Sequence, residues 1–182
     1  MRQEERRART RRQLLDAARA AFAARGFDGG SLDAIAASAG LSKGAVYAHF
    51  PTKLHLYAAV IGEVLDEAKE RLEAVAAALR KGDRSDGAAR RYFRGAAGDA
   101  EHAALLMDAW TAATREPEVR ALLDAYLAER QAALAAAAVD AGARPEEALA
   151  LAAVTGRLID AAVLHERHEG SAGSVAGGHR GA

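Results

Sequence analysis

Apolar residues recur along this chain at steps of three and four and almost never at alternate positions, which is the period of helices rather than strands. Leu14, Ala18, Ala21 and Phe22 mark one face of a first helix predicted over Glu5–Arg25. Gly26 stops it, because glycine accepts the left-handed conformation just beyond a helix cap, and Phe27 can fold back onto Phe22. Asp28-Gly29-Gly30 reads as a loop. Ser31 caps a short second helix, Leu32–Ser38; after the turn Ala39-Gly40-Leu41, Ser42 caps a third, Lys43–His49. Pro51 disfavours helical geometry at Phe50 and ends it. From Thr52, the stripe Leu54, Tyr57, Ile61, Leu65, Ala68, Leu72, Val75 and Leu79 predicts a fourth helix to about Arg80, on the order of 40 Å long. Residues 88–115 form one or more further helices, with breaks expected near Gly95 or Gly98. Pro117 and Pro145 each suit the first position of a helix, predicting Pro117–Ala141 and Pro145–His168. From Gly170 onward the glycine-rich end predicts a disordered tail. The fold class is all-α.

Composition agrees. Alanine dominates the apolar half of the chain and aromatics make up only 5%, which suits helices packed closely on small side chains. The absence of cysteine excludes a disulfide framework, a thiolate metal site and a cysteine nucleophile. No apolar run approaches the ~18–20 residues of a membrane span, and no apolar segment follows the N-terminal arginines as a secretory signal would require, so a cytoplasmic protein with no membrane partner is expected. Charge is zero overall but unevenly placed: residues 1–53 hold ten Lys/Arg and five Asp/Glu, and the remainder fifteen and twenty. A basic end on a neutral chain points to nucleic acid.

Two short helices joined by a glycine-containing turn form the helix-turn-helix unit. Gly40 permits the reversal, Ala36 and Ala37 let the helices approach, and Ile35, Leu41 and Val46 supply a shared core. The third helix then offers Lys43, Gly44, Ala45, Tyr47, Ala48 and His49, and its small residues suit entry into the major groove. Lys43 is a donor to a guanine edge, Ala45 a contact for a thymine methyl, and Tyr47 and His49 reach phosphates. Ser31, Ser42 and Thr52 cap helices whose free N–H groups also suit phosphate, with Lys53 adding charge. Arg2, Arg6, Arg7, Arg9, Arg11 and Arg12 form a basic arm.

The stretch from Gly40 to Lys53, with Ala23–Phe27 and Ser31–Ala36 before it, resembles the recognition segment of the tetracycline-repressor (TetR) family over about residues 10–60. The resemblance implies about nine helices: a three-helix DNA-binding domain over 1–53, an effector-binding and dimerisation domain over 54–168, and a tail over 169–182. It implies a homodimer on a palindromic operator, with phosphate contacts from Ser31, Tyr47, His49 and Lys53, and base contacts from Lys43, Gly44 and Ala45. Leu54 stands where an acidic residue is frequent.

Between Ala148 and Leu164 only Arg157 and Asp160 are charged, so the last helix is expected to be buried on most sides, against its own core and a second copy. Ala133, Ala137, Ala152, Ala153 and Gly156 would let the helices of a dimer approach closely. Tyr92, Met107, Trp110, Thr111, Thr114 and Tyr126 are the candidates to line an apolar pocket for a small-molecule effector. His165 and His168 lie one turn apart with no further ligand set nearby, so neither a metal nor another cofactor is expected, and His102 has no partner in the sequence. No nucleophile elbow or phosphate loop points to an enzyme. The reading is a ligand-responsive repressor; an activator and an effector-independent DNA binder are the alternatives.

Overall fold

The computed structural model describes residues 2–80 and 99–176, and their side chains except at 74–76, 78, 79 and 162–176. Seven helices and no strand lie among the described residues: α1 (Arg2–Gly29), α2 (Leu32–Ser38), α3 (Lys43–His49), α4 (Lys53–Arg80), α5 (Ala100–Ala112), α6 (Pro117–Asp140) and α7 (Pro145–Ala176). The all-α class holds, with seven of the expected nine or so helices among the described residues. Tyr92 and the breaks expected near Gly95 and Gly98 lie outside the described residues, as do the side chains of His165 and His168.

The helix boundaries follow from caps. Gly26 has φ 68° and ψ 179°, so α1 breaks there as the sequence predicts. Residues 27–29 then wind one more helical turn instead of looping, closed by Gly30 N–H donating to the Gly26 and Phe27 carbonyls. Gly40 has φ 68°, Gly40 N–H donates to Ala37 O at 3.1 Å and Leu41 N–H to Ala36 O at 2.9 Å, the paired bonds of a Schellman ending. The same pair recurs after α6, where Gly142 (φ 98°) donates to Val139 O and Ala143 to Ala138 O. Thr52 Oγ1 accepts from His55 N–H at 3.2 Å and starts α4; Asp99 does the same for His102 and α5, at 2.8 Å. α7 continues to Ala176, past Gly170: an internal glycine costs a helix only about 1 kcal/mol and need not end it.

The chain divides into two compact units. One holds residues up to Val64 with Ala104–Leu122; the other holds Leu65–Ala103 and the chain from Leu123. Residues 1–53 fall wholly in the first. The first unit is centred on Leu14, Phe22, Ile35, Val46, Tyr57 and Leu105, all fully buried. The rings of Phe22 and Phe27 both pack on Tyr57, with centroids 5.0 and 4.8 Å away, so Tyr57 joins the two phenylalanines. In the second unit Leu72, Leu134, Ala152 and Ile159 form a cluster across α4, α6 and α7.

Candidate nucleic-acid interface

α2 and α3 are too short to be stable alone and are held by packing. Ile35, Ala36, Val46 and Phe50 turn inward, and α2 packs on both α1 and α3. Ser31 Oγ accepts from Ala34 N–H at 3.5 Å and Ser42 Oγ from Ala45 N–H at 3.2 Å, so both predicted caps form.

This packing leaves Lys43, Gly44, Tyr47 and Ala48 exposed and Ala45 and His49 half-buried. The two aromatics of α3 and its cap divide cleanly. Phe50 is 2% exposed, with the Arg11 guanidinium 4.7 Å above its ring, whereas Tyr47 is 46% exposed and contributes nothing that a core requires. Lys43 Nζ pairs with Asp33 of α2 at 2.8 and 3.0 Å. The hydrogen bond and charge of Asp33 raise the lysine above its ordinary value, so it remains a cation. Both side chains are exposed, and such a pair is worth little, so Lys43 can exchange Asp33 for a base edge.

Gly44 has no structural reason to be glycine. A Cβ there would meet only Ser42 Oγ, at 3.8 Å, and its φ is not left-handed. Inside a helix it costs up to about 1 kcal/mol against alanine. Gly44→Ala should leave the melting temperature unchanged or raise it by a few degrees, while weakening duplex binding about tenfold or more; thermal unfolding and fluorescence anisotropy measure the two effects. Equal affinity would mean that nothing approaches Gly44.

The basic arm is a helical continuation of α1 from Arg2. Gln3, Arg6, Arg7 and Thr10 face Ala48 and His49 across an open groove of about 450 Å³. Burial, and then Arg7 and Arg11, push His49 below its ordinary imidazole value. Arg12, itself exposed, pairs with Asp16 at 3.1 Å and Glu63 at 3.6 Å.

Lys53 sits at the start of α4, with Nζ 4.5 Å from the centre of the Phe27 ring and donating to Asp28 O at 3.3 Å. Its support includes a residue that sequence reasoning missed. Asp108 on α5 accepts from Phe27 N–H at 2.8 Å and from the Tyr57 hydroxyl at 2.6 Å. Burial and Asp108 push the Tyr57 phenol well up, so it stays protonated as the donor. A lone acid within the apolar run from Ala103 to Ala113 was the available signal.

The other candidates are spread over both units. Met107, Trp110, Thr111 and Thr114 belong to the first, where Trp110 is 39% exposed and both threonine hydroxyls donate to carbonyls of their own segment, Met107 O and Thr111 O. Tyr126 belongs to the second and is buried beside Arg130, which pairs with Asp160 at 2.6 and 3.2 Å. His102, without a partner in the sequence reading, is buried with Arg71 Nη1 3.0 Å from its ring and Glu67 at 3.5 Å. Of the residues named for a dimer contact, Ala137 and Ala152 are buried within the protomer. Gly156 is buried against Arg130, whose Nη2 would lie 3.2 Å from a Cβ there, and Ala133 and Ala153 are half-buried. The large apolar residues left exposed on α7 include Leu151, Val154 and Leu158, one face at steps of three and four. The sequence reading followed the small residues and passed over these.

The geometry is that of a helix-turn-helix headpiece. Residues 14–60 match the family model described as bacterial regulatory proteins, tetR family. The transcriptional activator FasR of Mycolicibacterium smegmatis is 46% identical over 56 residues, covering 31% of this chain and 26% of that protein. The matches span only about a quarter to two fifths of the curated relatives' length. A transcriptional regulator of Rhodococcus sp. RHA1 shares the fold, with a TM-score of 0.70 at 22% identity over 88% of this chain and 85% of that one. The multidrug binding protein EbrR, solved with imidazole, aligns with a TM-score of 0.65 at 26% identity over 86% and 85%. Residues 14–60 are thus a TetR-family domain, in a chain with the fold of TetR-family regulators. That family consists of transcription regulators, not enzymes.

Proposed function

We propose that this protein is a homodimeric transcription regulator that places α3 in the major groove of a palindromic operator and is released by a small molecule. The observation that carries the DNA-binding part is the face of α3, where Lys43, Gly44 and Tyr47 are exposed, no fold requirement explains the glycine or the tyrosine, and the basic groove of α1 lies alongside. Lys43, Gly44 and Ala45 meet base edges; Ser31, Ser42, Tyr47, His49 and Lys53 meet phosphates. No described helix is long and apolar enough to cross a membrane, which fits a cytoplasmic regulator. Selection from a random duplex pool tests the proposal: two inverted half-sites centred about 10–10.5 base pairs apart, or a multiple of this, are expected. Enrichment of no sequence would refute it.

Dimerisation is supported by Leu151, Val154 and Leu158, since a second copy related by a two-fold axis would bury the same face on each chain. Effector binding is supported by the likeness to EbrR, a multidrug binding protein solved with imidazole, with Tyr126, buried beside Arg130, among the candidate contacts. The proposed role is that of a repressor relieved by ligand; the activator FasR supports the alternative sign, which a reporter with the operator at several promoter positions decides.

His49 makes duplex binding proton-linked. In the free protein its burial and the facing Arg7 and Arg11 favour the neutral ring, whereas an adjacent phosphate favours imidazolium. Binding therefore takes up a proton, and affinity should rise several-fold as pH falls from 7.5 through the ordinary imidazole value of 6.5. His49→Gln should remove that dependence, read by anisotropy at constant ionic strength.

A further inference from the structure

The tie from α5 reaches the joint that precedes α2. Gly26 turns the backbone left-handed, and Phe27 N–H then donates outside its own helix, to Asp108 Oδ2, 81 residues along the chain. The same oxygen accepts from Tyr57, and Oδ1 lies where a Cβ on Gly26 would come within 2.5 Å. Arg115 holds the neighbouring Asp28 carboxylate at 2.8 Å. The joint held in this way supplies both contacts of Lys53, the Phe27 ring and the Asp28 carbonyl. Asp108 lies outside residues 14–60, so nothing in the family match assigns it a part in DNA binding.

We infer that Asp108 is a positioning residue for DNA binding: by holding the Gly26–Asp28 joint, it seats Lys53 and the start of α2 against the phosphate backbone. This rests on the DNA-binding reading above. A residue that merely stabilised the fold would change the fraction of active protein but not the number of phosphates neutralised. One that seats Lys53 sets that number too, and the number is read from the salt dependence.

The test uses the full chain and a duplex selected by it, with affinity measured from about 50 to 200 mM salt. Asp108→Ala should weaken binding about tenfold at low salt and reduce the slope of log K against log salt by about one, the share of one lysine–phosphate contact. Asp108→Asn should stay within about threefold of the parent, because an amide oxygen can accept both bonds. In a Lys53→Ala background the change at Asp108 should cost nothing further. If Asp108→Ala does not fold, Arg115→Ala, a change at an exposed side chain, should show a smaller loss that also vanishes in that background. An unchanged salt slope, an asparagine variant as weak as the alanine one, or additivity with Lys53→Ala overturns the inference. A parent that retains no duplex overturns the DNA-binding reading itself, and the inference with it, so the two failures are distinguishable.

Discussion

Aspartate placed at both Val154 and Leu158 is expected to dissociate the protein into monomers and to lower operator affinity by about 10²-fold or more. Both side chains are about half exposed in the protomer, at 55% and 48%, and neither belongs to its buried core. Each apolar side chain buried against a partner contributes about 1.5–3 kcal/mol, and a buried carboxylate in its place opposes association more strongly than the loss of contact alone. Affinity falls because one half-site contact no longer makes the second intramolecular. Sedimentation and anisotropy on the same samples read both effects. A dimer that survives with unchanged affinity would place the interface elsewhere. Aspartate at Ala152 instead, buried in the protomer core with Leu72 and Ile159, should impair folding, which separates the two faces of α7.

Replacing Lys43 and Tyr47 together by alanine should remove sequence selection while leaving the fold intact. Neither side chain is buried, and Lys43 pairs with Asp33 in an exposed ion pair worth little, so circular dichroism and melting should match the parent. A lysine on a guanine edge discriminates by roughly ten- to hundredfold, and loss of the tyrosine phosphate contact weakens all sequences alike. Together the selected duplex should become indistinguishable from a scrambled one, at about 10³-fold weaker binding than the parent. Retained preference in a well-folded double variant would exclude α3 as the reader.

The headpiece was legible because its signals are local. Ser31, Ser42 and Thr52 sit where helices need acceptors at their start, and Gly40 and Gly142 sit where the backbone turns left-handed; each acts within a few residues of itself. Tyr47 as a surface residue follows from its hydroxyl, which needs water or phosphate, whereas Phe50, one residue past α3, is turned inward by the extended backbone of the cap. What escaped depends on distance along the chain. Asp108 caps Phe27 from 81 residues away, and Arg130 finds Asp160 across 30. The α7 face is hard to read from sequence for a related reason. Alanine and glycine mark where helices come close, but not whether the approaching helix belongs to the same chain; Gly156 makes room for Arg130 of its own protomer. Exposure of Leu151, Val154 and Leu158, on which the proposed dimer face rests, is visible only after folding.

The central claim is that α3 reads base edges in the major groove, and dimethyl sulfate probing of the selected duplex tests it most directly, because it methylates guanine at N7 in that groove and adenine at N3 in the minor one. Guanine N7 should be protected in each half-site, and the protection lost in Lys43→Ala at the position that lysine contacts. Full guanine reactivity beneath the bound protein, with protection confined to adenine N3, would contradict it.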